Sequence, residues 1–202
     1  MATQPQNLSP RLYFAYGSNL SLSQMSSRCP TSTYHSLGLL HHYTWVIGPR
    51  GYANVIYSPP SSLSPSYSLS SNSIQGREKD EDRVYGLLYT LEEEDERLLD
   101  RAEGVPASYT KHLLDVEIIS RQGEEGEEGM VKALVYVDER RRGPGVCKEE
   151  YVGRMNRGIR DAVEKGMPRS YVENVLRKWV RDEDVGNEVG DPFHPSQAVI
   201  PE

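Results

Sequence analysis

Short apolar runs alternate with polar stretches along the whole chain. Residues 12–16, Leu-Tyr-Phe-Ala-Tyr, form an apolar and aromatic run of strand length that stops at Gly17-Ser18-Asn19. The polar segment 21–28 has the composition of a short turn of helix. Residues 44–47 and 53–57 are β-branched and aromatic, and Gly48-Pro49-Arg50-Gly51 between them predicts a hairpin. Strand character returns at 83–91. A helix is predicted over 92–101, with Thr90 as its cap, acidic residues in its first turn and Leu98 and Leu99 facing inward. The stretch 102–106 ends it. Two further strands are expected at 109–119 and 130–137, joined by the acidic turn 123–129. Helical periodicity runs over 148–165 and again over 170–181, with Gly166-Met167-Pro168 as a C-cap followed by a helix start. No internal repeat is visible.

This order, strands, one helix, strands, then two helices, predicts an α+β fold. Its expected centre is a small mixed, mostly antiparallel β-barrel with surrounding helices. At 202 residues the chain suits one domain, taken as 11–181. Residues 1–10 read as a disordered leader and 182–202 as a polar C-terminal tail. Residues 58–82, opening Ser-Pro-Pro-Ser-Ser and ending in charge, read as a flexible Ser-rich insertion without a core of its own.

Charge and cysteine content narrow the partners. Lys and Arg total 23 against 30 Asp and Glu, a net of −7, which argues against nucleic acid. No stretch approaches a membrane span, and 1–10 lacks a secretory apolar core, so no membrane partner is expected. Cys29 and Cys147 are isolated and form no disulfide framework; the default expectation is a reducing, cytoplasmic setting. The glycosylation sequons at Asn7 and Asn19 are read as chance matches.

Two places carry candidate chemistry. A strand running into Gly17-Ser18-Asn19 presents successive backbone N–H groups that can hold a carboxylate or phosphate; the plain alternative is a strand-to-turn transition. Glu103 follows a helix and neighbours Leu98, Leu99, Ala102, Val105 and Pro106. A carboxylate desolvated in such an apolar turn gains the pKa of a general base; the alternative is an ordinary solvated helix end. His41 and His42 have no partner at metal-ligand spacing, and His35, His112 and His194 are isolated. Arg140-Arg141-Arg142 and the acidic turn read as solvated loops, and most of the 13 tyrosines as strand packing residues.

Tyr-Phe-Ala-Tyr-Gly-Ser-Asn-Leu at 13–20, together with Leu-Asp-Arg-Ala-Glu-Gly-Val at 99–105 ahead of Tyr109, resembles the two signatures of the gamma-glutamylcyclotransferase-like family. Val-Tyr-Gly-Leu-Leu-Tyr at 84–89, Val135-Tyr136-Val137, Tyr151 and Gly166-Met167-Pro168 follow in the family's order, so the resemblance covers about 11–181. It implies that Glu103 is the catalytic proton acceptor. It implies a substrate pocket built from Tyr13, Phe14, Ala15, Tyr16, Gly17, Ser18, Asn19, Leu20, Tyr109, Tyr136 and Tyr151. The implied reaction is attack of a glutamyl α-amine on its own γ-amide carbonyl, giving 5-oxoproline and a free amino acid or amine, without cofactor or metal. The implied partner is a small-molecule gamma-glutamyl substrate, and homodimers occur in the family. Three alternatives stay open: a gamma-glutamylamine cyclotransferase, a biosynthetic enzyme removing a gamma-glutamyl group from a glutathione-derived intermediate, and a non-catalytic binding homologue. The insertion at 58–82 is longer than the family requires and bears on substrate choice.

Overall fold

The computed structural model describes residues 11–59, 80–119 and 129–183. The expected leader, most of the Ser-rich insertion, most of the acidic turn and nearly all of the tail lie outside these residues. Seven strands and four α-helices are described: β1 Arg11–Ala15, α1 Leu22–Arg28, β2 Tyr34–His41, β3 Tyr43–Ile47, β4 Ala53–Tyr57, β5 Arg83–Leu91, α2 Glu93–Glu103, β6 Thr110–Ile119, β7 Gly129–Val137, α3 Glu149–Glu164 and α4 Arg169–Asn174. Five strands close a barrel in the order β1-β5-β2-β6-β7. All pairings are antiparallel except β1 with β7, where Leu12 lies beside Ala133 and Tyr13 beside Leu134. The mixed, mostly antiparallel barrel is therefore present. β3 and β4 form the predicted hairpin as a separate two-stranded sheet.

The barrel core mixes aliphatic side chains with rings, Phe14 deepest among them. Phe14 is fully buried, paired with Leu88 across β1 and β5. Its ring fits because Gly38 and Gly86 stand opposite each other; a Cβ on Gly86 would come within 2.6 Å of the Phe14 ring. Burying such a ring stabilises a fold by roughly 1.5–3 kcal/mol.

Several expectations need correction. β2 lies between β5 and β6 in the barrel, yet the pattern of its Tyr-His-Ser-Leu-Gly-Leu-Leu-His sequence does not predict a strand. Polar residues and a glycine break its alternation. Thr90 does not cap α2; it stays in β5 and bonds Thr33, while Glu92 is the N-cap without a side-chain bond. Leu99 is fully buried but Leu98 only half-buried. The last predicted helix is broken: α4 ends at Asn174 and a 3-10 turn, Leu176–Lys178, follows. At the insertion's ends the Ser58 N–H donates to the His42 carbonyl, and the Ser58 hydroxyl to Asp82, at 2.7 and 3.1 Å. Among the described residues no helix is long and apolar enough to cross a membrane.

Candidate active site

The chain leaves β1 and winds into one 3-10 turn, Ser18–Leu20. Leu20 N–H donates to the Gly17 carbonyl (2.9 Å) and Ser21 N–H to that of Ser18 (3.0 Å). Ser21 then caps α1, accepting from Gln24 N–H. The turn is not an open row of donors, because the Ser18 N–H already bonds the Tyr151 hydroxyl at 3.1 Å. Gly17 is required here for space. At φ −112° it needs no left-handed conformation, but a Cβ would stand 2.7 Å from the Tyr151 oxygen.

Glu103 is the last residue of α2. Gly104, at φ +65°, takes the left-handed cap that ends the helix, and Val105 N–H returns to the Asp100 carbonyl (3.0 Å). α2 itself is anchored by buried Asp95, which accepts from the N–H and hydroxyl of Thr31, just past α1. Thus the start of α1 and the end of α2 face each other. Asn19 Nδ2 donates to Glu103 Oε1 at 3.1 Å and to the Tyr13 hydroxyl at 2.9 Å. Arg28, 2 % exposed, places Nη1 3.6 Å from Glu103 and 3.2 Å from Asn19 Oδ1. The expected apolar surround of the carboxylate is replaced by an amide and a guanidinium: Val105 is half-buried and Pro106 exposed.

A cavity of about 150 Å³ opens beside this pair. Tyr13, Tyr16, Gly17, Ser18, Asn19, Glu103, Tyr109, Tyr136 and Tyr151 all line it. Phe14, Ala15 and Leu20 do not. Strand pleating turns Phe14 into the barrel, Ala15 is buried in the core, and Leu20 packs against Gly158 of α3. The tyrosine hydroxyls are largely engaged within the protein. Tyr16 donates to the Tyr136 carbonyl, Tyr109 to that of Ala53 (2.9 Å) and Tyr136 to Asp100 (2.7 Å). Burial pushes the hydroxyls of Tyr13, Tyr16, Tyr109 and Tyr151 above the usual phenol range, so they remain protonated.

Three residues outside the sequence expectation complete the site. Buried Arg154 of α3 donates to Ser18 Oγ (2.8 Å) and to Gln24 Oε1 (3.1 Å). Arg50, from the hairpin turn, lies 4.6 Å above the Tyr109 ring and bonds Asp138 (3.0 Å). Asp138 also holds Arg141 at 3.0 Å and accepts from the N–H groups of Arg140 and Arg141, so the basic run wraps a carboxylate. Neither cysteine is a nucleophile at neutral pH: burial pushes Cys29 up to about 12 and Cys147 to about 11. His41 pairs with Glu117 and His112 with Glu139, off the cavity. Among the described residues no cluster of three His, Cys, Asp or Glu could hold a metal ion.

The sequence model of the AIG2-like family matches residues 83–175. A solved gamma-glutamyl cyclotransferase superposes with a TM-score of 0.62 at 21% identity, covering 91% of this chain and 95% of that one. The chain has the gamma-glutamylcyclotransferase-like fold. An uncharacterized protein from Homo sapiens shares it at a TM-score of 0.63 and 20% identity, over 92% of this chain and 96% of that one. YkqA from Bacillus subtilis gives 0.60 at 18% identity, over 86% of this chain and 55% of its own. No curated protein matches by sequence. In this cyclotransferase-like fold the matched segment runs from β5 to just past α4 and so contains Glu103, Tyr109, Tyr136 and Tyr151. The turn at 16–19 lies before it.

Proposed function

We propose that the chain is a gamma-glutamylcyclotransferase. The observation that carries this reading is the meeting of Glu103 with the Tyr16 to Asn19 turn at one cavity, through the 3.1 Å bond from Asn19. A gamma-glutamyl compound carries its own nucleophile. Holding it folded brings the α-amine onto the γ-carbonyl, and proximity supplies much of the rate. The α-ammonium first loses a proton to Glu103. Its nitrogen then adds to the γ-carbon, closing a five-membered ring and placing negative charge on the γ-oxygen. Glu103 passes its proton to the leaving nitrogen and takes the second proton from the ring nitrogen, which became cationic on attack. Collapse of the intermediate then breaks the bond to the leaving nitrogen, and the released amine takes the last proton from Glu103, restoring the carboxylate. The products are 5-oxoproline and a free amine.

The developing oxyanion needs a donor in the cavity. We assign that role to the Tyr151 hydroxyl, which stands at the cavity against Ser18 N–H. Its oxygen accepts from the N–H groups of Ser18 and Ala53, which leaves its own proton to give. At the cavity's other wall Arg50 bonds the carboxylate of Asp138, which it shares with Arg141 behind it, off the cavity. One positive charge is left over beside Tyr109. This supports a leaving group that bears a carboxylate, as in a gamma-glutamyl amino acid, over an uncharged amine.

The test is release of 5-oxoproline from a panel of gamma-glutamyl amino acids, gamma-glutamyl-lysine and glutathione, with Glu103→Gln alongside. Product from one class, lost by at least about 100-fold in the variant, is expected. Wild-type protein that binds these compounds without releasing product would replace this reading with that of a binding homologue.

A further inference from the structure

Gln24 does not itself line the cavity, yet it holds both polar side chains of the site turn. It sits in the first turn of α1, half-buried. Its Nε2 donates to Ser18 Oγ at 2.9 Å and to Asn19 Oδ1 at 2.8 Å. Its Oε1 accepts from Arg154 Nε at 3.1 Å, so the amide cannot be reversed without setting a donor against a guanidinium. The consequence passes to Asn19. Gln24 Nε2 and Arg28 Nη1 both donate to one end of the Asn19 amide, which must therefore be its oxygen. The other end, Nδ2, is then forced toward Tyr13 and Glu103.

We propose that Gln24 is a positioning residue for the reaction, fixing the Asn19 amide so that it donates to Glu103 and holds that carboxylate at the cavity. The catalytic part of this inference rests on the cyclotransferase reading; the orientation of Asn19 does not. The chain of contacts runs from Arg154 on α3 through Gln24 on α1 and Asn19 to Glu103 on α2. Each link has one polarity. Reversing any one of them places acceptor against acceptor further along.

Two variants separate positioning from packing. Gln24→Glu keeps the size of the side chain and pairs well with Arg154, but presents an acceptor to Asn19 Oδ1. Gln24→Met keeps the bulk and removes all three polar contacts, leaving Asn19 to Arg28. If Gln24 positions Asn19, the Glu variant loses more kcat than the Met variant, about 10- to 100-fold against wild type, with little change in KM. If Gln24 only packs, the order reverses, because the Glu variant retains the tie to Arg154; that order overturns the proposal.

A measurement without substrate tests the orientation directly. In side-chain amide NMR spectra the Asn19 Nδ2 signals should shift as Glu103 titrates, a response absent from Glu103→Gln. The response should persist in Gln24→Met and vanish in Gln24→Glu. An unchanged response in Gln24→Glu overturns the inference even in an active enzyme. Absence of turnover in wild type would remove the cyclotransferase reading and leave this result standing.

Discussion

At the scale of single residues, Gly17 and Tyr151 make a coupled pair. A methyl group on Gly17 would press on the Tyr151 oxygen at 2.7 Å and disturb its bond to Ser18 N–H. Gly17→Ala should therefore destabilise the protein by about 1–3 kcal/mol, as overpacking does. In a Tyr151→Phe background the same substitution should cost much less, since the oxygen it meets is gone. Urea unfolding of the four proteins measures this, and equal costs in both backgrounds would separate Gly17 from Tyr151. Tyr151→Phe alone should also slow turnover about 10- to 1000-fold if its hydroxyl serves the oxyanion. Arg50 gives a different signature. Arg50→Gln should raise KM for a gamma-glutamyl amino acid about tenfold, the worth of one charged hydrogen bond, and leave a gamma-glutamyl alkylamine unaffected. Equal effects on both compounds would remove Arg50 from leaving-group recognition. Glu103 and the Tyr-Gly-Ser-Asn turn were legible because each is a short contiguous string. Gln24, Arg28 and Arg154 were not: Arg154 meets Ser18 across 136 positions, and nothing in local composition marks that pairing. The pleat explains the other error. A contiguous motif names Phe14 together with Tyr13, but neighbouring strand residues point to opposite faces, so Phe14 turns away from the cavity that Tyr13 lines.

For the elements, what matters is where each one stops. α2 ends at Glu103 because Gly104 adopts φ +65°, a conformation that a Cβ opposes. Gly104→Ala should cost about 1 kcal/mol, with Gly104→Asn costing less. Because the cap sets where the carboxylate leaves the helix, the Ala variant should also lose turnover out of proportion to its stability. Thermal melts and initial rates under fully folded conditions test this together; full turnover in Gly104→Ala would show that the cap does not position Glu103. The Gly-Val-Pro string after Glu103 made this stop readable from the sequence. β5 and the β3–β4 hairpin were readable for similar reasons, a dense β-branched and aromatic run with clear turns beside it. β2 was hidden by its own chemistry. Its first three residues, Tyr34, His35 and Ser36, are half-buried and polar or amphipathic, and Gly38 is there to admit the Phe14 ring. A position shaped by a neighbour 24 residues earlier in the chain leaves no local pattern. Thr90 failed as a cap because β5 continues through it to Leu91, and its hydroxyl is committed to Thr33.

For the whole molecule, the number of buried acidic hydroxyls and thiols sets the alkaline limit of stability. Tyr13, Tyr16, Tyr109 and Tyr151 lie in or beside the barrel, all raised above the usual phenol value chiefly by burial. Cys29 joins them, raised from 9.0 to about 12 and fully buried. Each of these groups is neutral when protonated, and folding favours the neutral form. Below the unfolded-state value both states hold the proton, so the group adds no pH dependence. As pH climbs past that value, the unfolded chain releases its proton while the folded chain keeps it, and stability falls. For Cys29 the window runs from about pH 9 to about pH 12, with a slope of at most about 1.4 kcal/mol per pH unit. The tyrosines add to the slope from about pH 10 upward. Cys147, half-buried, contributes in the same direction but less. The net charge of −7 near neutrality becomes more negative over the same range, and self-repulsion acts with the same sign. Urea midpoints should therefore hold steady between pH 7 and 8.5 and drop steeply by pH 10.5. Cys29→Ala should start from a lower midpoint, for the lost packing, yet decline less between pH 9 and 10. Tyrosinate absorbance should rise together with loss of structure in circular dichroism, because the buried hydroxyls ionise only as the barrel opens. A midpoint that stays flat to pH 10.5, or tyrosinate signal from all these rings ahead of unfolding, would mean that water reaches the site tyrosines in the folded state. The tight internal bonding of Tyr16, Tyr109 and Tyr136 would then have to be given up, and with it the view that these three hydroxyls have no proton to offer a substrate.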